Sequence, residues 1–228
     1  MGNYIICLAH FCELHGPSTI VCTQTGIAKD KLDYLIPGNS KLQQTCQSCQ
    51  LILPDNSRNL LTKQDSTIFI STHYPASQTR YTSLTKLVMK SLSVETTADL
   101  SKPMFFGDVI YGYCINKIFK INDINARGSE RKYSLMVISD GESDLLMNWD
   151  IITLYFNEII DLIQKRVAMV AAKEVNQDSN CQGGDVLNER YLRRSLIKPK
   201  SLLELTNDDE IFVKFHLWAV SLLKDILK

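Results

Sequence analysis

The side chains able to do chemistry are few and widely spaced. Cys46-Gln47-Ser48-Cys49 is the one C-x-x-C in the chain, a spacing that lets two thiolates reach a single zinc ion. A tetrahedral site needs two more ligands, and Cys12 with His15 is the nearest pair of suitable type. A redox dithiol and two free loop thiols are the competing readings. Arg127 follows Asn125-Ala126 and precedes Gly128 in a polar connection between two strong strand candidates. A guanidinium on such a base projects from the edge of a fold and can enter another protein's phosphate site, where a planar, permanently charged group stabilises transition-state charge. The plain alternative is a solvated turn arginine. Arg190-Tyr191-Leu192-Arg193-Arg194 through Lys198-Pro199-Lys200 is a local basic patch, suited to an anionic membrane, to an acidic partner or to a solvated linker. His73 and His216 are isolated and read as packing or surface residues. No Walker A loop, G-x-S-x-G elbow, H-E-x-x-H or dinucleotide fingerprint occurs, so no self-contained nucleotide chemistry and no cofactor are expected.

Composition narrows the classes further. The chain has 228 residues, with 25 Lys plus Arg against 25 Asp plus Glu and 45% apolar residues. A neutral chain has no global field for nucleic acid or anionic lipid, and the apolar content is that of a packed domain rather than a disordered one. Tyr4 to Ala9 is too short for a signal sequence and lacks a cationic start. No stretch approaches the roughly 18 apolar residues of a membrane span. Met1-Gly2 would invite myristoylation, but Ile6 stands where that motif wants Ser or Thr. The odd count of 7 cysteines, several inside apolar segments, fits reduced thiols in a soluble cytoplasmic protein.

These residues must be positioned by regular elements. Tyr4–Phe11 and Ser18–Thr23 read as a hairpin turning at His15-Gly16-Pro17, and Thr67–Thr72, Asp108–Ile121 and Arg131–Asp140 as further strands. Leu84, Leu87, Val88 and Leu92 predict an amphipathic helix over Arg80–Leu92. A wide apolar face from Ile152 to Val170 predicts a long helix over Trp149–Lys173. Thr206 and Asp209 stand in capping-box spacing before a last apolar helix. Residues 24–66 read as a long loop and 176–205 as a flexible linker. The expectation is one α+β domain over residues 1–228, with about five antiparallel strands sandwiched by helices.

Several segments together resemble the folliculin family, and specifically its N-terminal longin domain. They are Cys7-Leu-Ala-His-Phe-Cys-Glu-Leu-His-Gly-Pro17, Ser91-Leu-Ser-Val-Glu95, Phe105-Phe-Gly-Asp108, and Ala126-Arg-Gly128 followed by Tyr133-Ser134. Their order and spacing agree with the family, and the chain is identified as a fungal member of it. The resemblance implies a longin fold and a heterodimer, through longin domains, with a partner of the folliculin-interacting protein family. It implies a regulatory complex, not itself an enzyme, that activates Rag C-type GTPases in amino-acid signalling to the TOR kinase. The site implied is the vacuolar or lysosomal membrane surface, reached peripherally. The family's catalytic arginine falls on Arg127, and its GTPase-contacting aromatic on Tyr81. Cys46 and Cys49 also have a counterpart in the family. Folliculins continue into a DENN domain, for which 228 residues of longin elements leave no room.

Overall fold

The computed structural model describes residues 4–27, 46–64, 67–93, 99–123, 125–178 and 199–227. Its frame is an antiparallel sheet built from β1 (Ile5–Cys12), β2 (Gly16–Ile27), β3 (Leu60–Gln64), β4 (Thr67–Thr72), β5 (Met104–Asp108), β6 (Gly112–Asn122) and β7 (Glu130–Ser139). The strand order is β3-β4-β2-β1-β7-β6-β5, and every neighbouring pair is antiparallel. The central strands are apolar on both faces because both faces are covered. Ile6 and Leu8 of β1 and Tyr133, Leu135 and Val137 of β7 join one core cluster; Ile5, Cys7, Ala9, Met136 and Ile138 join the other.

Helix α1 (Gln78–Leu92) covers the second face with Leu84, Leu87, Val88 and Leu92. Helices α2 (Glu142–Met147), α3 (Trp149–Asp178), α4 (Leu202–Thr206) and α5 (Ile211–Ile226) cover the first. The α+β class and the helices on both faces agree with the sequence reading, but the sheet has seven strands rather than about five. One extra strand is β5, which precedes the expected Asp108–Ile121; the strand expected there begins only at Gly112, as β6, and residues 109–111 form the turn. Asp108 accepts hydrogen bonds from the N–H groups of Ile110 and Tyr111, both at 2.8 Å, and the chain reverses into the β5–β6 hairpin. The other is β3, an edge strand without a buried residue. It lies inside the stretch 24–66 expected to be loop, because a strand packed only at an edge leaves no apolar alternation to read. Of the expected linker 176–205, residues 179–198 lie outside the described residues, and Ser201 opens α4.

Helix termination also departs from the reading at one point. Thr206 does not cap the last helix; it ends α4, its hydroxyl donating to Leu202 O at 2.8 Å. The capping box is Ser201 with Glu204, reciprocally bonded. Asn207 then takes a left-handed conformation at φ 45° and separates α4 from α5, a position Asn tolerates better than most residues.

Gly107, in the Phe105-Phe-Gly-Asp108 segment, has φ 156°, and a Cβ there would meet the carbonyl oxygen of Gly112 at 2.4 Å. The hairpin therefore closes only on glycine. Gly107→Ala is expected to lower unfolding stability by about 2 kcal/mol or more, read as a shift in urea midpoint with unchanged slope.

His216 of α5 is buried between the hydroxyls of Ser71 at 2.7 Å and Thr62 at 2.9 Å. Burial lowers its pKa to about 4, and burial likewise lowers His10 to about 4. Both are neutral when folded, and the unfolded chain binds more protons between the two pKa values. The stability they contribute is fully present above pH about 6.5 and lost as pH falls toward 4, by about 3 kcal/mol per group at most. Urea midpoints measured from pH 7 to 4.5 should fall accordingly, and His216→Gln should flatten that slope.

Candidate functional site: the turn end of the sheet

Antiparallel pairing puts two turns side by side. His10 of β1 lies opposite Tyr133 of β7, so the β1–β2 turn and the β6–β7 turn emerge at the same end of the sheet. The β6–β7 turn carries Arg127. It is fixed from within: Asp123 N–H donates to Ser129 O at 3.0 Å, Ala126 N–H to Asp123 O at 2.9 Å, and Ser129 N–H to Ala126 O at 2.9 Å. Asp123 Oδ1 accepts from Asn125 N–H at 3.0 Å, and Ala126 is buried. Gly128 at φ 76° and Ser129 at φ 59° let the chain double back. The backbone is held and Arg127 itself is exposed. Among the described residues its guanidinium has no hydrogen-bond or ion-pair partner, while its backbone N–H donates to the Glu13 carboxylate across the neighbouring turn.

Below the turn, Arg131 Nε donates to Asp123 Oδ2 at 2.6 Å, with side chains 9% and 2% exposed. Arg131 Nη1 also reaches Lys200 O at 2.8 Å. Nothing in the sequence signals Asp123, Arg131 or Glu13 as supports. Glu13 and Arg127 are 114 positions apart, and only the strand register brings them together.

The adjacent β1–β2 turn meets the segment Cys46–Cys49. Cys49 N–H bonds to Cys46 O at 3.0 Å, closing a 3₁₀ turn over Gln47–Cys49 that presents both sulfurs to one side. Cys12, His15, Cys46 and Cys49 converge there, one ligand-type atom from each lying within 4.8 Å of all the others. The contact between Cys12 and Cys49 drives the Cys12 thiol well below its usual range, and that same contact, aided by burial, pushes Cys49 up.

Tyr81 lies elsewhere. It sits in the first turn of α1, half-buried, edge-on to Tyr74 with ring centroids 5.2 Å apart. Its neighbours Thr79 and Arg80 line a hollow with Ile5 and Ile138, at the end of β7 away from Arg127. The basic segment 190–198 lies outside the described residues, and Lys200 contributes its backbone carbonyl to Arg131. Among the described residues no helix is long and apolar enough to cross a membrane.

Comparison with known proteins bears on the same segments. Residues 67–226 match the folliculin family, described as a vesicle coat protein involved in Golgi to plasma membrane transport. Protein LST7 of Saccharomyces cerevisiae is 30% identical over 238 residues, covering 100% of this chain and 98% of LST7. Human folliculin is 24% identical over 262 residues, 97% of this chain but 45% of folliculin. The folliculin-like protein bhd1 of Schizosaccharomyces pombe is 28% identical over 137 residues, 54% of this chain and 37% of its own. The match covers the β5–β6 hairpin, the arginine turn and the helices that pack beneath them, and on it the chain belongs to the folliculin family.

Proposed function

We propose that this chain has the longin fold and acts as the arginine-donating subunit of a GTPase-activating complex for Rag C-type GTPases. In this reading it pairs with a folliculin-interacting partner and signals amino-acid status to the TOR kinase from the vacuole surface. The observation that carries the reading is Arg127: an exposed guanidinium without a partner among the described residues, on a turn whose backbone is pinned at every polar group named above. A finger arginine must be free at its tip and fixed at its base, since positioning and charge are what phosphoryl transfer asks of it. Tyr81 is a second GTPase contact. Single-turnover GTP hydrolysis by Rag heterodimers with the reconstituted complex, comparing wild type with Arg127→Ala, is the test.

A second reading is favoured by the family's description as a vesicle coat protein: a non-catalytic longin scaffold that heterodimerises and brings partners to a membrane. Here Arg127→Ala is silent, and proline or charge substitutions along the outer edge of β5 (Met104–Asp108) break the complex. Fold alone does not separate the two readings; the hydrolysis measurement does.

A further inference from the structure

The convergence of Cys12, His15, Cys46 and Cys49 is not used by either reading of function, and its geometry is specific. Cys12 Sγ lies 3.5 Å from Cys46 Sγ, and Cys46 Sγ lies 3.5 Å from Cys49 Sγ. His15 Nδ1 lies 3.6 Å from Cys12 Sγ and 3.5 Å from Cys49 Sγ. In a regular tetrahedron with Zn–S of about 2.3 Å and Zn–N of about 2.05 Å, ligand atoms stand about 3.8 Å apart for sulfur pairs and about 3.5 Å for sulfur–nitrogen pairs. The observed edges match the second value and fall slightly inside the first. A disulfide needs sulfurs about 2.05 Å apart and leaves two of these four groups unused.

We propose that these residues form a structural zinc site of the Cys3His type, Cys12 from the end of β1, His15 from the turn that follows it, and Cys46 and Cys49 from the segment of the 3₁₀ turn. Three thiolates and one imidazole are soft and borderline donors, which select zinc over calcium, magnesium or manganese. Three thiolates, a neutral His15 and Zn²⁺ leave one net negative charge, and donors surround the sulfurs to receive it. His10 Nε2 stands 3.2 Å from Cys49 Sγ, Ser48 Oγ 3.1 Å from Cys46 Sγ, and Leu14 N–H donates to Cys12 Sγ at 3.4 Å. A proton on His10 Nε2 aims it at sulfur and leaves Nδ1, which has no partner, as a bare acceptor rather than an orphaned donor, the less costly of the two. The metal fastens the segment at residues 46–49 to the sheet. It also stiffens the turn whose Glu13 accepts the Arg127 N–H, although the site stands whether or not Arg127 is catalytic.

The test is metal analysis of the full chain, purified under reducing conditions without chelator. The expected result is about one zinc per chain, and, after exchange with cobalt, the visible absorption of a tetrahedral cobalt thiolate. Cys46→Ser with Cys49→Ser should lower the zinc content at least about ten-fold. Should that variant fail to fold, His10→Gln keeps all four ligands and should weaken zinc affinity by about ten- to a hundred-fold in chelator competition. The proposal is overturned by a folded wild-type chain that carries substoichiometric zinc and takes up none when supplied, by cobalt spectra of an octahedral ion, or by a Cys46–Cys49 disulfide in place of metal. These outcomes are independent of GTP hydrolysis, so the zinc site and the arginine role fail separately.

Discussion

Replacing Arg127 with Ala is expected to slow stimulated GTP hydrolysis by about 10³- to 10⁵-fold while leaving assembly with partner and GTPase intact. The magnitude follows from what the group would do in a proposed complex: place a permanent charge against oxygens whose negative charge grows in the transition state, where water is excluded and the interaction is undamped. The selectivity follows from the structure. The guanidinium has no intramolecular partner among the described residues and the side chain is exposed, so its removal should change stability by no more than about 0.5 kcal/mol. The hydrogen bond to Glu13 uses the backbone N–H and survives the substitution. Arg127→Lys sharpens the test. It keeps the charge but loses the planar fork that grips two oxygens at once, so it should recover only part of the rate. Equal hydrolysis by wild type and Arg127→Ala would remove the catalytic assignment and leave the scaffold reading.

How much of this was legible beforehand differs between fold and site. Central strands and long helices were readable because burial on both faces writes unbroken apolar runs into β1 and β7, and a wide stripe into α3. Edge elements were not. β3 has no buried residue, nor has β5 (Met104–Asp108), so neither writes an apolar alternation, and Asp108 reads as the first residue of the following strand rather than as the end of its own. At the site, the C-x-x-C spacing singles out Cys46 and Cys49, and Cys12 with His15 is the nearest pair of suitable type, but only the fold shows residues 46–49 brought back onto the end of β1. The supports of Arg127 were silent because Asp123, Glu13 and Arg131 are common surface residue types, and only register gives them a role. The segments that carried the family resemblance turn out to touch. Ser91 Oγ meets Ser134 Oγ at 2.6 Å and accepts from Asn116 Nδ2 at 2.7 Å, which joins the end of α1 to β7 and β6 under the sheet. Tyr133 packs between His10 and Phe119. A motif scattered in sequence thus meets on both faces of the central strands, as buried hydroxyl and amide bonds on the α1 face and as packed rings on the other.

The other large effect is expected beneath the arginine turn. Arg131→Met should destabilise the fold by about 3–5 kcal/mol, a sizeable part of the 5–15 kcal/mol that holds a typical domain together. Almost none of Asp123 is exposed, and without Arg131 its carboxylate keeps its desolvation cost and loses its counter-charge at 2.6 Å. Lys200 O loses its donor as well. The cost arises from the stranded charge rather than from the worth of the ion pair, so removing the charge should recover much of it. Asp123→Asn combined with Arg131→Met should be markedly more stable than Arg131→Met alone, because Asn keeps an oxygen to accept from Asn125 N–H and brings no charge. Urea titration of the four proteins of this cycle measures the coupling directly. Additive losses would mean that the pair does not act as a buried unit. The same variants separate base from tip at the proposed finger: Asp123 organises the turn through its backbone and its Oδ1, so the single Arg131→Met variant, assayed where it remains folded, should lose stimulated hydrolysis through a loosened turn although Arg127 is still present. The double variant, with the turn's backbone bonds restored to a neutral side chain, should regain it in step with stability, a correlation that Arg127→Ala, stable and inactive, must break.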